Sequence, residues 1–229
     1  ANPKVQFVKE RIGDSFGLWI DVGCATGEIL MAAKALGWTA RGYETDPDEA
    51  AFGRSRGLDI QEEFLTPATS AGFLREARVL SLLNVLEHMN GPRDFLRSLT
   101  RELPVGSHVV VEVPRHPSIS SFSNMVFPDL VYRHFSVPMH LHVFSEESMS
   151  RLLASAGLEA VAVWCFGQDF QELVSCSAAS AKLDGNPFVS QVLDHSNRIQ
   201  TGIDESGLSD VLFVVARKAA RGTVPGLDS

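Results

Sequence analysis

The sequence predicts an α/β fold built on a mostly parallel sheet with crossover helices. Apolar runs of strand length alternate with segments at helical spacing, and the first run ends in a glycine-rich turn that leads straight into a helix. Of the 229 residues, 45% are hydrophobic and 21% charged, enough apolar surface for a buried core.

The strand-like runs are Leu18 to Val22, Thr39 to Tyr43, Val79 to Leu83 and His108 to Val113. Between the first two, Ile29, Ala33 and Leu36 recur at helical intervals and Gly37 supplies the stop. After the third, Pro92 stands at a helix start ahead of Phe95, Leu96 and Leu99, and Leu103-Pro104-Val105-Gly106 breaks the helix. Pro114 to Phe144 carries four Pro and four His and interrupts the alternation, so it reads as an irregular substrate lid. Ser145 then caps a helix with Glu146 and Glu147 in its first turn, Met149, Leu152, Leu153 and Ala156 on one face, and Gly157 at its end. Leu158 to Phe166 is a further strand, residues 167–208 a helical and polar insertion, and Val211 to Ala216 a final strand before the tail Thr223 to Ser229. No repeat, low-complexity tract or second core interrupts this order, so residues 1–229 are expected to form one domain.

Charge narrows the partners. Twenty Lys and Arg against 28 Asp and Glu give a net charge of −8, and no basic block offers a surface to a phosphate backbone, which argues against nucleic acid. The longest apolar runs, Ala160 to Phe166 and Val211 to Ala216, fall far short of the roughly 20 residues that cross a bilayer. Cys24, Cys165 and Cys176 make an odd set without metal-ligand or redox spacing, which fits a reducing cytoplasm. The start at Ala1, without an initiator Met or the apolar segment of a signal peptide, fits a processed or excised beginning.

The chemistry sits in Asp21-Val22-Gly23-Cys24-Ala25-Thr26-Gly27, where the backbone must turn tightly and let a ligand approach. Counted from Gly23, a nicotinamide or flavin fingerprint would place glycines where this chain has Ala25 and Glu28. A carboxylate at the helix start repels a pyrophosphate but tolerates a cationic ligand. Seventeen residues after Gly27, Glu44 ends the second strand, placed to accept hydrogen bonds from both hydroxyls of a ribose. A nucleoside with no phosphate and a cationic amino-acid end is S-adenosylmethionine.

At this point the chain resembles the class I S-adenosylmethionine-dependent methyltransferases. The resemblance rests on residues 21–27, Gly42-Tyr43-Glu44, Leu83-Asn84-Val85-Leu86-Glu87-His88, the stretch from Pro92 to Pro114, and Pro138-Met139-His140-Leu141-His142-Val143-Phe144-Ser145, roughly residues 15–165 in all. Within that superfamily it looks like the ubiquinone-biosynthesis-type enzymes and the catalytic part of sugar C-methyltransferases. The resemblance implies a Rossmann-like, seven-stranded, mostly parallel sheet with helices on both faces and an antiparallel last strand. It also implies Asp21 near the methionine amine, Gly23, Cys24, Ala25, Thr26 and Gly27 as the backbone wall, and Glu44 with Thr45 at the ribose. Glu62, Glu63 or Phe64 would lie beside the adenine, and Leu83 and Asn84 at the methionine and sulfonium end. Some quinone-pathway relatives bind a metal through Glu-x-x-Glu-His; here Asn84 takes the first place, and no metal is expected.

Methyl transfer to a hydroxyl or an acidic carbon needs a base, and a His titrating near pH 6.5 suits that task. His88, His140 and His142 are the candidates, the last two pointing to one face if the segment is extended. Arg115, Arg133 and His134 give the lid a basic character that would draw a carboxylate or phosphate on the acceptor. Phe122, Phe127 and Phe135 would either line an apolar acceptor pocket or anchor the loop. The expected activity is therefore methylation of an oxygen or carbon of a small molecule such as a sugar, a glycan intermediate or another secondary metabolite. Two rivals stand beside it: a nicotinamide-dependent oxidoreductase, and a non-catalytic adenosyl-ligand-binding domain of a larger enzyme.

Overall fold

The computed structural model describes residues 2–13, 16–65, 72–130, 134 and 138–220. In chain order its elements are α1 (Pro3–Ile12), β1 (Leu18–Val22), α2 (Glu28–Ala35), β2 (Thr39–Glu44), α3 (Pro47–Ser55), β3 (Asp59–Glu62), β4 (Ala77–Leu83), α4 (Pro92–Glu102) and β5 (His108–Pro114). There follow α5 (Ile119–Val126), α6 (Glu146–Ser155), β6 (Leu158–Phe166), α7 (Asp169–Ser180), α8 (Pro187–Leu193), α9 (Ser196–Glu205) and β7 (Val211–Lys218). The seven strands form one sheet in the order β3-β2-β1-β4-β5-β7-β6. The first five are parallel, and β7 runs antiparallel to both β5 and β6.

Strand side chains alternate between two cores. Ile20, Leu80, Leu82, Val109, Val111 and Val214 face one side, where Leu96 and Leu99 of α4 and Met149 and Leu153 of α6 cover them. Trp19, Val79, Val110, Phe213 and Val215 face the other, under Val5 and Val8 of α1 and Leu30 and Ala33 of α2. Each fully buried Leu of this kind contributes about 1.5 to 3 kcal/mol, so the central strands are fixed from both faces. The sheet order reverses beside β1, where β1 leads to β2 on one side and β4 lies on the other, and that is where an open α/β sheet forms its crevice.

Four elements go beyond the sequence expectation, each for a physical reason. The edge strand β3 buries only Ile60 and shows no apolar run. Helix α1, capped by Asn2, buries just Val5 and Val8, and α3, capped by Asp46, just Ala50 and Gly53. Within the stretch expected to be irregular, α5 is a helix closed by a capping box between Ser118 and Ser121. Its buried face is Ser120, Ser121 and Ser123, while Phe122, Met125 and Val126, which follow Ile119 at helical spacing, are exposed. The expected helix after Ser145 forms as read, with a Ser145–Ser148 capping box and Met149, Leu152 and Leu153 buried.

Candidate active site

A cavity of about 480 Å³ opens at the carboxyl ends of β1, β2 and β4. Gly23 and Ala25 form one wall, Tyr43, Glu44, Thr45 and Glu49 a second, Glu63, Phe64 and Leu65 a third, and Leu83, Asn84, Val85, His88, Met89 and Phe95 complete it. Among these lining residues are three carboxylates and no Lys or Arg.

The glycine-rich turn makes the first wall. Gly23 at φ 67° and Gly27 at φ 86° adopt the left-handed conformation. A Cβ on Gly27 would also strike Leu58, so α2 can approach β3 only without one. Ala25 at φ 46° takes the same conformation with a side chain, at a cost of about 1 kcal/mol. Its amide N–H donates to Glu44 Oε2 at 2.8 Å, while Glu44 Oε1 accepts from the N–H groups of Thr45 at 2.7 Å and Asp46 at 2.9 Å. Glu44 thus ties the loop after β1 to the loop after β2, with its carboxylate at the cavity.

Asp21, Cys24, Thr26 and Gly27 stand behind that wall rather than in it. Asp21 is buried, accepts from the Ser81 hydroxyl at 2.5 Å, and is pushed up to about 7 by desolvation, the hydrogen bond only partly opposing it. The Cys24 thiol is buried against Gly42 and raised by desolvation, which makes it a packing group. Of the three adenine candidates, Glu63 and Phe64 line the cavity while Glu62 pairs with Arg54 at 3.2 Å. Val22 and Tyr43 stood in their motifs and Phe95 on a helix face without an assigned contact; the convergence of strand ends brings all three to the cavity.

The three expected histidines separate. His88 lines the cavity, and its Nδ1 lies 2.6 Å from the Met139 carbonyl. A carbonyl only accepts, so Nδ1 carries the proton and Nε2 of the neutral ring is the basic atom. The His140 ring meets His88 edge to face, 4.9 Å between centroids, and its Nδ1 donates to the His134 carbonyl at 3.1 Å. Burial holds the His140 imidazole below its usual range. His142 Nε2 lies 3.0 Å from the Met89 carbonyl, so this ring splices the lid to the loop after β4.

Glu87 lies in the motif after β4 without an assigned role of its own. Its carboxyl is fully buried with no hydrogen-bond partner among the described residues, desolvation pushes it up to about 7, and Oε1 lies 3.9 Å from His88 Nε2. Glu87, His88 and His140 bring one ligand atom each within 4.8 Å of one another, a donor set of the kind a metal ion takes. Sequence spacing shows two of these and not the third, because His140 arrives from the lid.

The expected acceptor-binding residues have partners elsewhere. Arg115, buried at the end of β5, donates to the carbonyls of Pro117 at 2.8 Å and Ser209 at 3.1 Å and to Glu146 at 3.0 Å. His134 Nε2 lies 2.7 Å from Asp210 Oδ2 at the approach to β7. Neither lines the cavity, each being engaged by the partners just named. Arg133 and Phe135 lie outside the described residues. Phe122 is 55% exposed, whereas Phe127 is half-buried.

A sheet of this order with a glycine turn and a carboxylate at the ends of β1 and β2 defines a nucleoside-binding α/β enzyme. The chain belongs to the methyltransferase-domain family, whose model matches residues 3–163. None of the curated proteins matches it. Among solved structures, it is similar to an S-adenosylmethionine-dependent methyltransferase from Archaeoglobus fulgidus at 18% identity, covering 93% of this chain and 94% of that one, TM-score 0.58. It is similar to geranyl diphosphate C-methyltransferase from Streptomyces coelicolor A3(2) at 15% identity, covering 95% and 80%, TM-score 0.59. It is also similar to the [4+2]-cyclase SpnF at 18% identity, covering 94% and 80%, TM-score 0.60. At these identities the likenesses establish the fold. Family membership sets the nicotinamide-dependent oxidoreductase aside.

Proposed function

We propose that this methyltransferase takes its methyl group from S-adenosylmethionine and passes it to an oxygen or carbon of a small-molecule acceptor in the cytoplasm, with His88 as general base. The observation that carries the reading is the cavity lining: an aromatic and acidic pocket with three carboxylates and no Lys or Arg. Such a lining repels phosphates and suits a nucleoside bearing positive charge. S-adenosylmethionine, when bound, supplies a methyl carbon made electrophilic by its sulfonium.

The chain's own residues do the rest. Glu44 accepts from the ribose hydroxyls, and Tyr43, Phe64 and Phe95 offer apolar surface to the base. Asn84 and Leu83 face the amino-acid end. His88 Nε2 receives the acceptor's proton, and the Glu87 carboxyl beside it is placed to stabilise the imidazolium that forms. The acceptor class that fits this reading is a sugar, a glycan intermediate or another secondary metabolite. The free thiols of Cys24, Cys165 and Cys176 support a reducing compartment. Among the described residues no helix is long and apolar enough to cross a membrane.

Calorimetric titration with S-adenosylmethionine, S-adenosylhomocysteine and the oxidised nicotinamide cofactor tests the donor. Binding of the first two alone is expected; binding of the third alone, or of none, overturns the reading. With an acceptor found by screening, His88→Ala should lower turnover about 100-fold or more while S-adenosylhomocysteine affinity holds. Full activity in that variant would remove His88 as the base, and a binding-competent chain that turns over no acceptor would favour the non-catalytic reading.

A further inference from the structure

Behind the amino-acid end of the cavity stands a buried ionic relay that reaches the first helix. Asn2 caps α1 by accepting from the N–H groups of Lys4 and Val5, which fixes where Lys4 projects. The Lys4 ammonium straddles the Glu112 carboxylate, 2.8 Å from Oε1 with hydrogen-bond geometry and 2.7 Å from Oε2 as an ionic contact. The Phe166 ring lies 5.6 Å from the same ammonium. Glu112, only 4% exposed on β5, also takes Asn84 Nδ2 at 3.2 Å on Oε1, and its carbonyl accepts the Asn84 N–H at 2.9 Å. Asn84 holds φ at 54°, a conformation that asparagine tolerates better than most side chains.

An amide side chain can present either of its ends to a ligand. A carboxylate only accepts, so Glu112 selects Nδ2 and turns Oδ1 the opposite way. We propose that Lys4 and Glu112 are positioning residues that lock the Asn84 amide so that its oxygen serves the amino-acid end of the bound donor. That end carries an ammonium and a carboxylate, with the sulfonium beside them in the donor itself; an acceptor oxygen favours the cationic groups, whereas an N–H group would favour the carboxylate. Lys4 makes the arrangement sustainable, because a buried carboxylate without a cation would be costly. Helix α1 is thereby tied to ligand recognition through a side chain that never enters the cavity. The inference rests on the placement of the amino-acid end at Leu83 and Asn84.

The test compares S-adenosylhomocysteine with 5′-methylthioadenosine, which keeps the nucleoside and lacks the amino-acid end. In the unsubstituted protein the first should bind more tightly; equal affinities would overturn the placement itself. Glu112→Gln, whose own amide can rotate and release the selection, should cut that preference about tenfold, the scale of one hydrogen bond to a charged group. Binding of 5′-methylthioadenosine should hold. Asn84→Gly should cut the preference by a similar factor, and Glu112→Gln added to it should cut it no further. An unchanged preference in Glu112→Gln, or losses that multiply in the double variant, overturns the relay. If Glu112→Gln fails to fold, Lys4→Met and Lys4→Arg carry the test. Lys4→Met should lower the preference and Lys4→Arg restore it, and a Lys4→Met protein with intact preference overturns the relay equally.

Discussion

The donor side of the cavity, at the ends of β1 and β2, and the side proposed for the acceptor, where the loop after β4 meets the stretch from Pro138 and the approach to β7, build their polar contacts differently. On the donor side Glu44 takes three backbone N–H groups and the turn from Gly23 to Gly27 is set by its own dihedral angles, so main chain does most of the holding; Asn84, held by the Glu112 side chain, is the exception. On the acceptor side the contacts are long-range and made by side chains. His88 meets the Met139 carbonyl, His134 meets Asp210 and Arg115 meets the Ser209 carbonyl. The first arrangement tolerates little change at a few backbone positions, whereas the second can exchange residues as long as the lid stays joined to the sheet. On the proposed function, the donor is thus read by the first arrangement and the acceptor by the second.

Substitutions can break that contrast. The largest effect is expected for Gly27→Ala, which combines a strained φ of 86° with a Cβ driven into Leu58. Chemical denaturation should show a loss of about 3 to 4 kcal/mol, with donor binding lost alongside; a loss below about 1 kcal/mol would mean that the turn adapts.

On the other half, Glu87→Gln should stabilise the fold at pH 8 by about 2 to 3 kcal/mol. The Glu87 carboxyl is raised to about 7 by burial, so its contribution is full below the unfolded value near 4.5 and is lost as pH rises through 7. The advantage of glutamine should therefore emerge between those values and level off above them. Unfolding curves across that range check it, and identical curves for the two proteins would show that a partner compensates the buried charge.

Smaller still, Glu44→Ala should weaken S-adenosylhomocysteine binding by about 1 to 3 kcal/mol, read by calorimetry. Unchanged affinity would reduce Glu44 to its loop-joining role. The smallest effect is a gain: Ala25→Gly should relieve the strain at φ 46° and raise stability by about 1 kcal/mol, less the added freedom of the unfolded glycine. A thermal-unfolding shift in the opposite direction would place the strain elsewhere.

How much was legible follows the same division. The alternation of runs, the glycine turn and Glu44 are encoded within a few residues of where they act, because strand period and dihedral preference are local properties. Helix α5 has an apolar period in Ile119, Phe122, Met125 and Val126, but what was not legible is that this face stays exposed while the serine face packs through hydrogen bonds. Nor was the fate of the lid's basic residues, whose charge is visible in sequence while their partners are not.

By itself, then, the sequence determined the α/β class, the glycine turn after β1 and the carboxylate at the end of β2, all consequences of short-range conformational preference. Only the tertiary structure decided which histidine reaches the cavity, that Glu87 is buried beside it, and that Lys4 governs Asn84 through Glu112. Those pairs lie 51 residues apart for His88 and Met139, 108 for Lys4 and Glu112, and 28 for Asn84 and Glu112. Contacts across such separations form when the sheet stacks its strands, and no local preference specifies them.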